Sequence, residues 1–399
     1  LMRILADMEL EGVNLDVAAL SAQSENLKKE LDRLQDEIFK LAGAQFNLNS
    51  PRQLGEILFD KMQLADKAKK TKTGQYATGE EVLMKLAGEH EIVRKILEFR
   101  ENDKLRSTYV DALPRMVSLT DHRIHTDYRQ AVAATGRLSS NNPNLQNIPI
   151  RSELGKEIRK AFVPRDKNHV ILSADYSQIE MRILAHLAED QKLIEAFATG
   201  EDLHSTVASL VFGVKANEVD PEMRRQIKAM SYGLAYGLSS YGLAQQLDIS
   251  PTDASELMAK YFERFGGIQT YLKEVVRIAR SKGYTETLMG RRRYLPDLNH
   301  ENRQRREVAE RMALNAPIQG SAADIIKVAM LNVQRAINAR GMKSRLLLQV
   351  HDELIFEIAP KEDVEMEKLV REAMGSAYEL NVPLEVNVGF GKSWDLAAH

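Results

Sequence analysis

Two carboxylates far apart in sequence and one striped segment between them could do chemistry. Asp175 ends an apolar run, HVILSADYS, and precedes IEMRILAHLAED, which has the period of a helix. Asp352 lies in QVHDELIFEI between two apolar runs, with His351 and Glu353 on either side. A tight hairpin normally takes Asn-Gly or Asp-Gly, so three titratable side chains at such a bend break a local rule, and such breaks concentrate at functional sites. An aspartate ahead of a helix is more often an N-cap, and Asp175 taken alone leaves that reading open. If the runs are neighbouring strands, both carboxylates meet at one sheet edge, where hard oxygen ligands hold Mg2+ together with substrate phosphates. Two such ions about 3.5–4 Å apart activate an attacking oxygen and stabilise a leaving one, the geometry phosphoryl transfer needs.

The segment RRQIKAMSYGLAYG places Arg224, Lys228, Tyr232 and Tyr236 each four residues after the last. On a helix they form one stripe about 18 Å long. Lys and Arg compensate the charge of a triphosphate, and phenol rings offer flat surfaces to a sugar or base. Gly233 and Gly237 each cost a helix about 1 kcal/mol relative to Ala, so something is expected to approach the backbone there. A core aromatic stripe with snorkelling cations is the bland alternative, and it leaves the glycines without a reason. Arg137 in TGRLSS and Gln319 in NAPIQGSAAD can donate to base edges. Arg311 and Asn315 share a face with Gln319 if their segment is helical, and Arg291, Arg292 and Arg293 form a basic run. Gly391-Lys392-Ser393 imitates the end of a P-loop, but Val386 stands where that loop needs Gly, and no GxGxxG is present.

These residues need elements to hold them. Leu20 to Leu41 reads as a long exposed helix with one buried stripe, which requires a packing partner. Pro51 opens a second helix behind Asn49 and Ser50. The lysine-rich stretch Lys67 to Gly79 has no period: it reads as a solvated loop, or as a phosphate-gripping tip if the protein handles nucleic acid. Ala134 to Arg151 is a loop crowded with Asn, Ser, Pro and Gly. Helical patterns run from Leu193 to Arg340, followed by two strands with His-Asp-Glu at their bend, a helix, and a last strand in LEVNVGFG. Strands that bracket a helical insertion imply an α+β sheet domain carrying a helical domain.

Of the 399 residues, 44% are hydrophobic and 28% charged, with a formal net charge of -2, so any nucleic-acid face must be local. The absence of cysteine excludes disulfides, thiolate catalysis and Cys-ligated zinc. No apolar run approaches the roughly 18 residues that span a bilayer, so no membrane association and a cytoplasmic setting are expected. The opening LMRILADMELEGV lacks a signal pattern, and the chain reads as the C-terminal part of a longer protein.

Taken together, DYSQIEMRILAHL, RRQIKAMSYGLAYG and QVHDELIFEI resemble motifs A, B and C of the family A DNA polymerases, the bacterial polymerase I group. The similarity runs from the thumb-like helices through TGRLSS and NPNLQNIP to SWDLAAH. It implies a right-hand fold with an antiparallel palm sheet, helical fingers and a helical thumb. The implied boundaries are thumb and start of palm at 1–130, palm with motif A at 131–190, fingers with motif B at 191–310, and palm with motif C at 311–399. The implied activity is template-directed addition of dNTPs to a primer 3′-hydroxyl with pyrophosphate release, in replication or repair at the bacterial nucleoid. Primer–template DNA and dNTPs are the implied partners, and a monomer is expected.

Carried over residue by residue, the resemblance gives Asp175, Tyr176 and Asp352 to two Mg2+ ions, with Mn2+ as a substitute, and Glu353 assists nearby. Arg224 and Lys228 hold the triphosphate with His204 and Gln178 beside them, and Lys228 is the proton donor to pyrophosphate. Tyr232 lies against the sugar, Tyr236 at the base of the pocket, and Glu180, hydrogen-bonded to Tyr236, closes the space a 2′-hydroxyl needs. Arg137, Arg311, Asn315, Gln319 and His351 contact the primer–template, partly through minor-groove acceptors common to every correct pair. Tyr232 departs from the Phe of most bacterial members. The exonuclease and 5′ nuclease domains that accompany the family are expected to lie outside these residues. A single-subunit RNA polymerase shares the two-Asp palm and the lysine-bearing helix, but Glu180 as a steric gate argues against it. An inert primer–template binding protein is opposed by intact Asp175, Lys228 and Asp352.

Overall fold

A computed structural model describes residues 1–65, 68–150, 152–200 and 202–398; Lys67 and Arg151, which bound two of the expected loops, and His399 lie outside them. Helix α1 (Val17–Ala42) begins at Asp16, whose carboxylate accepts from the Ala19 amide, and buries Leu20, Leu27, Leu31, Leu34 and Ile38 along one side. Its partner is α2 (Glu91–Leu105), whose Ile92, Val93, Ile96 and Phe99 join Leu31, Leu34 and Ile38 in a separate core. Ser50 caps the helix that Pro51 opens, as the sequence predicts.

The rest of the chain is organised by one four-stranded sheet. Strand β1 (Val170–Tyr176) leads into helix α3 (Ile179–Ala188), and helices α4 (Leu203–Phe212) and α5 (Pro221–Ala235) follow. A small hairpin of β2 (Tyr284–Glu286) and β3 (Arg292–Tyr294) precedes the 37-residue helix α6 (Arg303–Ala339), which returns the chain to the sheet. There β4 (Arg345–Val350) and β5 (Glu353–Ile358) form a hairpin, and α7 (Asp363–Gly375), β6 (Val386–Gly391) and α8 (Trp394–Ala397) complete the chain. The strand order is β6-β1-β5-β4, with every pair antiparallel. Helices α3 to α6 are thus carried between strands of one sheet, as the sequence pattern implies.

Both faces of the sheet are covered. Leu172, Ala174, Tyr176, Leu354 and Phe356 pack into one core with Ile325 and Met330 of α6 and Leu369 of α7. Ile171 and Ile355, on the other face, pack into a second core with Phe162 and Trp394. Each Leu, Ile, Phe or Met side chain among them contributes about 1.5–3 kcal/mol on burial. A one-residue slip would exchange the two faces, so the register that sets Asp175 opposite Glu353 is firmly fixed.

Helix α5 departs from expectation at its end. It stops at Ala235, so Tyr236 is the first residue beyond it. Gly237 has φ +70°, its amide donates to the Leu234 carbonyl at 3.0 Å, and Leu238 N–H donates to the Gly233 carbonyl at 2.8 Å. This is a Schellman closure, packed so closely that a Cβ on Gly233 would lie 2.7 Å from Leu238 Cδ2. The two glycines therefore let the chain fold back on its own helix, and no ligand is needed to explain them.

Candidate active site

Asp175 and Glu353 are direct cross-strand partners near the open end of β1 and β5, and the Tyr176 amide donates to the Asp352 carbonyl at 3.3 Å. His351 takes φ +56°, the left-handed conformation that turns the chain into the hairpin. The N-cap of α3 is Gln178, itself at φ +52°, so Asp175 is a strand residue and the capping alternative falls. Desolvation pushes the Asp352 carboxyl up to about 6; the Asp175 and Glu180 charges add to the rise and Arg137 opposes it. Burial also raises Glu353, whose Oε1 accepts from Ser173 Oγ at 2.6 Å and from Trp394 Nε1 at 3.0 Å. For His351, partial desolvation and then the Arg137 charge hold the imidazole below the usual range, although much of the residue stays exposed.

Tyr176 enters the site only through its main chain. Its ring points to the opposite face of the sheet, where the hydroxyl donates to the Met374 carbonyl at 2.8 Å and burial holds the phenol well above its ordinary value. Among the described residues no three Asp, Glu, His or Cys side chains converge on a point. Asp175 and Asp352 are the candidate hard oxygen donors, because Glu353 is engaged by Ser173 and Trp394. The desolvated Asp352, repelled by the Asp175 charge beside it, forms with it a pair that fits a divalent cation whose remaining ligands are main-chain, water or phosphate oxygens.

The stripe on α5 divides into two parts. Near the start of the helix, Arg224 holds Asp202 through Nε at 2.9 Å and Nη2 at 2.8 Å, and that bond keeps the Asp202 carboxyl well below its usual range. Asp202 is also the N-cap of α4. His204, buried on α4, has its ring 5.7 Å from that of Tyr232; desolvation lowers it to about 4, and its Nδ1 has no hydrogen-bond partner among the described residues. Lys228 is half-buried and has no carboxylate within ion-pair distance among the described residues. About 12 Å further along the axis, at 1.5 Å per residue, Tyr236 donates its hydroxyl to Glu180 Oε2 at 2.6 Å, and Arg137 Nη2 donates to Glu180 Oε1 at 2.8 Å. Desolvation and then the Glu180 bond hold the Tyr236 phenol well above its ordinary value. Arg137, Glu180, His351 and Asp352 line one cleft of about 240 Å³ with Gln146 and Gln349. The Glu180–Tyr236 bond expected from the resemblance is therefore present, and Arg137 meets it from the other side. Gln178, the N-cap of α3, has its side-chain Oε1 buried and unpartnered among the described residues.

Arg311, Asn315 and Gln319 lie on α6, one helical face apart from solvent to half-burial. The arginine run is not the open basic patch its sequence suggests. Arg291 is paired with Asp324 and Arg292 with Glu286; only Arg293 lacks a carboxylate partner among the described residues. A larger cleft of about 1200 Å³ opens beside α2, lined by Arg100, Lys104, Arg129, Asn141 and Asn144 among others. Several residues that shape the site carry no signal of their own in the sequence. Gln349 donates its amide to the Tyr128 hydroxyl at 3.0 Å and its side-chain NH2 to the His351 carbonyl at 2.5 Å, and Gln146 donates to Gln349 Oε1 at 3.1 Å; together they brace the hairpin. Ser173, Trp394 and Asp202 act likewise on Glu353 and Arg224. Each is brought there by the fold, and only the proximity of Gln349 to the His-Asp-Glu bend could have marked one of them.

A family model described as DNA polymerase family A matches residues 17–396. DNA polymerase I of Mycobacterium tuberculosis strain H37Rv is 55% identical over 399 residues, covering 100% of this chain and 44% of its own length. DNA polymerase I of Bacillus subtilis strain 168 is 50% identical over 392 residues, 98% of this chain and 44% of its own. A solved structure described as the POL domain of Pol1 from M. smegmatis in complex with DNA primer-template and dNTP matches with a TM-score of 0.94 at 56% identity, covering 100% of this chain and 70% of that one. The chain spans less than half the length of the curated relatives it matches. With its antiparallel palm sheet, inserted helical fingers and helical thumb in the arrangement of a right hand, the chain belongs to DNA polymerase family A.

Proposed function

We propose that this chain catalyses template-directed addition of dNTPs to a primer 3′-hydroxyl with release of pyrophosphate, as a monomer acting in replication or repair. The supporting observation is the pair Asp175 and Asp352 at the sheet edge, with Asp352 opening on the same cleft as the Arg137–Glu180–Tyr236 chain. Two Mg2+ ions, or Mn2+ in their place, held by Asp175, Asp352 and the Tyr176 carbonyl would neutralise charge on the attacking and leaving oxygens. Arg224 exchanges its bond to Asp202 for the triphosphate, and Gln178 and His204 border the same phosphates. Lys228, unneutralised by any nearby carboxylate among the described residues, holds the triphosphate and delivers a proton to the departing pyrophosphate oxygen. Tyr232 lies against the sugar. Glu180, fixed through both oxygens, fills the space a 2′-hydroxyl requires, with Tyr236 at the base of the pocket. Glu353 supports the metal-binding edge from its place on Ser173 and Trp394. Arg137, Arg311, Asn315, Gln319 and His351 meet the primer–template near its terminus. Thumb and start of palm then occupy 1–130, palm 131–190 and 311–399, and fingers 191–310. No helix among the described residues is long and apolar enough to cross a membrane, which accords with work on DNA at the cytoplasmic nucleoid.

The test is extension of a labelled primer with Mg2+ by wild type, Asp175→Ala and Asp352→Ala. Each substitution is expected to reduce extension by about 10³-fold or more and to leave primer–template affinity nearly intact, because affinity comes from phosphate contacts elsewhere. Affinity that falls in step with activity would show the carboxylates to be structural, and a wild type that binds without extending would remove the enzymatic reading.

A further inference from the structure

Lys327 is a cation for which neither the proposed chemistry nor the core gives a reason. It sits on α6 with 9% of its surface exposed, and its Nζ donates to the carbonyl oxygen of Gly136. Gly136 is held at φ +82°, and a Cβ there would lie 2.6 Å from Arg291 Nε, so its peptide is wedged between an ammonium and a guanidinium. Arg291 donates to Asp324 Oδ1 from Nε at 2.8 Å and from Nη2 at 2.6 Å, while Asp324 Oδ2 accepts from Thr287 Oγ1 at 2.7 Å. Asp324 and Lys327 are one turn apart on α6, and each fastens one side of the same loop residue. The next residue is Arg137, which reaches Glu180 at 2.8 Å, and Glu180 takes the Tyr236 hydroxyl at 2.6 Å. An unbroken run of contacts thus leads from inside the long palm helix to the carboxylate at the sugar. A well-packed apolar side chain would serve stability at this position as well as a buried cation does, so stability leaves Lys327 unexplained. Arg137 is a long side chain on a loop, a third exposed, and it keeps one geometry only if the peptide that bears it is fixed.

We propose that Lys327 and the Arg291–Asp324 pair are positioning residues for ribose discrimination: they fix the Gly136 peptide, hence Arg137, and hence the Glu180 carboxylate that excludes a 2′-hydroxyl. This deepens the reading of Glu180 given above and rests on it. The measurement is the ratio of kcat/KM for a deoxynucleotide to that for the matching ribonucleotide opposite one template base. Wild type, Glu180→Ala, Lys327→Met, Lys327→Arg, Arg291→Gln and Val333→Ala are compared, the last loosening the core side of the same helix. Lys327→Met is expected to lower the ratio about tenfold, within the range that a 1 Å displacement away from the chemistry produces. Lys327→Arg, which can still donate to the Gly136 carbonyl, restores it, and Val333→Ala leaves it unchanged. Arg291→Gln, at a side chain 42% exposed and so tolerant of change, lowers the ratio in the same direction even if Lys327→Met fails to fold. An unchanged ratio in Lys327→Met or Arg291→Gln, while Glu180→Ala lowers it, overturns the positioning role alone; so does an equal fall in Val333→Ala. An unchanged ratio in Glu180→Ala removes the gate itself and this proposal with it.

Discussion

In the proposed reading, substrate choice turns on a single group, the hydroxyl of Tyr232. A deoxynucleotide can satisfy a triphosphate oxygen with its own 3′-hydroxyl, and a dideoxynucleotide cannot, so a Phe here would leave that oxygen unpaired where a Tyr hydroxyl can replace the missing group. A hydrogen bond to a charged group contributes about 1.5–3 kcal/mol, or about 10- to 150-fold in rate. Wild type is expected to use dideoxynucleotides nearly as well as deoxynucleotides, and Tyr232→Phe to restore discrimination by slowing the dideoxy reaction; a kcat/KM ratio indifferent to the substitution would reject the hydroxyl-replacement account. Its neighbour His204 gives a pH signature. Desolvation lowers the imidazole from 6.5 to about 4, with Asp202 opposing and Lys228 and Arg224 reinforcing the shift. The contribution of its neutral form to stability is present above pH 6.5 and lost as pH falls toward 4, by at most about 3 kcal/mol. His204→Gln should therefore lose less Tm than wild type between about pH 7 and pH 4.5, and parallel curves would disprove it. The candidate site residues were legible because carboxylates and cations are spaced against local preference. Their partners were not: Asp202 for Arg224, and Ser173 and Trp394 for Glu353, come from segments whose own patterns fit an ordinary cap, strand and terminal helix.

Elements were read where the sequence carries a period. HVILSADYS, RLLLQV and ELIFEI are runs long enough to show strands, and Leu20 to Leu41 shows its buried stripe as helix α1 does. The hairpin β2–β3 went unseen because three-residue strands have no measurable period, and its arginines read as a patch until their partners were in view. The helix read through Gly237 ends two residues earlier, at Ala235, and the first residue released is Tyr236. Stopping the helix there frees the phenol to meet Glu180 in place of continuing the stripe. The closure at Gly237 is thus a device for aiming a side chain as well as for ending a helix. Gly237→Ala forces a Cβ at φ +70° to within 3.0 Å of Arg311 Cα and Leu314 Cδ1, and is expected to destabilise the protein by about 1–3 kcal/mol. Chemical denaturation measures this, and an unchanged midpoint would show that the turn is not strained by a side chain.

For the whole molecule, charge and shape act at different ranges. A formal net charge of -2 gives no long-range attraction to a polyanion, so the proposed binding of primer–template requires local cations, and Arg100, Lys104 and Arg129 along the larger cleft are candidates. Such contacts release counterions, and affinity is expected to fall at least about tenfold between roughly 50 and 200 mM salt. Anisotropy titrations read this directly, and a flat salt profile would mean that the contacts are mostly uncharged. Trp394 is the only tryptophan in the chain, and its Nε1 lies 3.0 Å from Glu353 Oε1. The indole fluorescence of the entire protein is therefore emitted beside the Glu353 carboxylate, with the ring at right angles to Phe162 and Arg159 close to it. This chain carries an unlabelled optical probe beside Glu353, so the proposed arrival of a divalent ion or a nucleotide is expected to register as a change in emission without altering a residue.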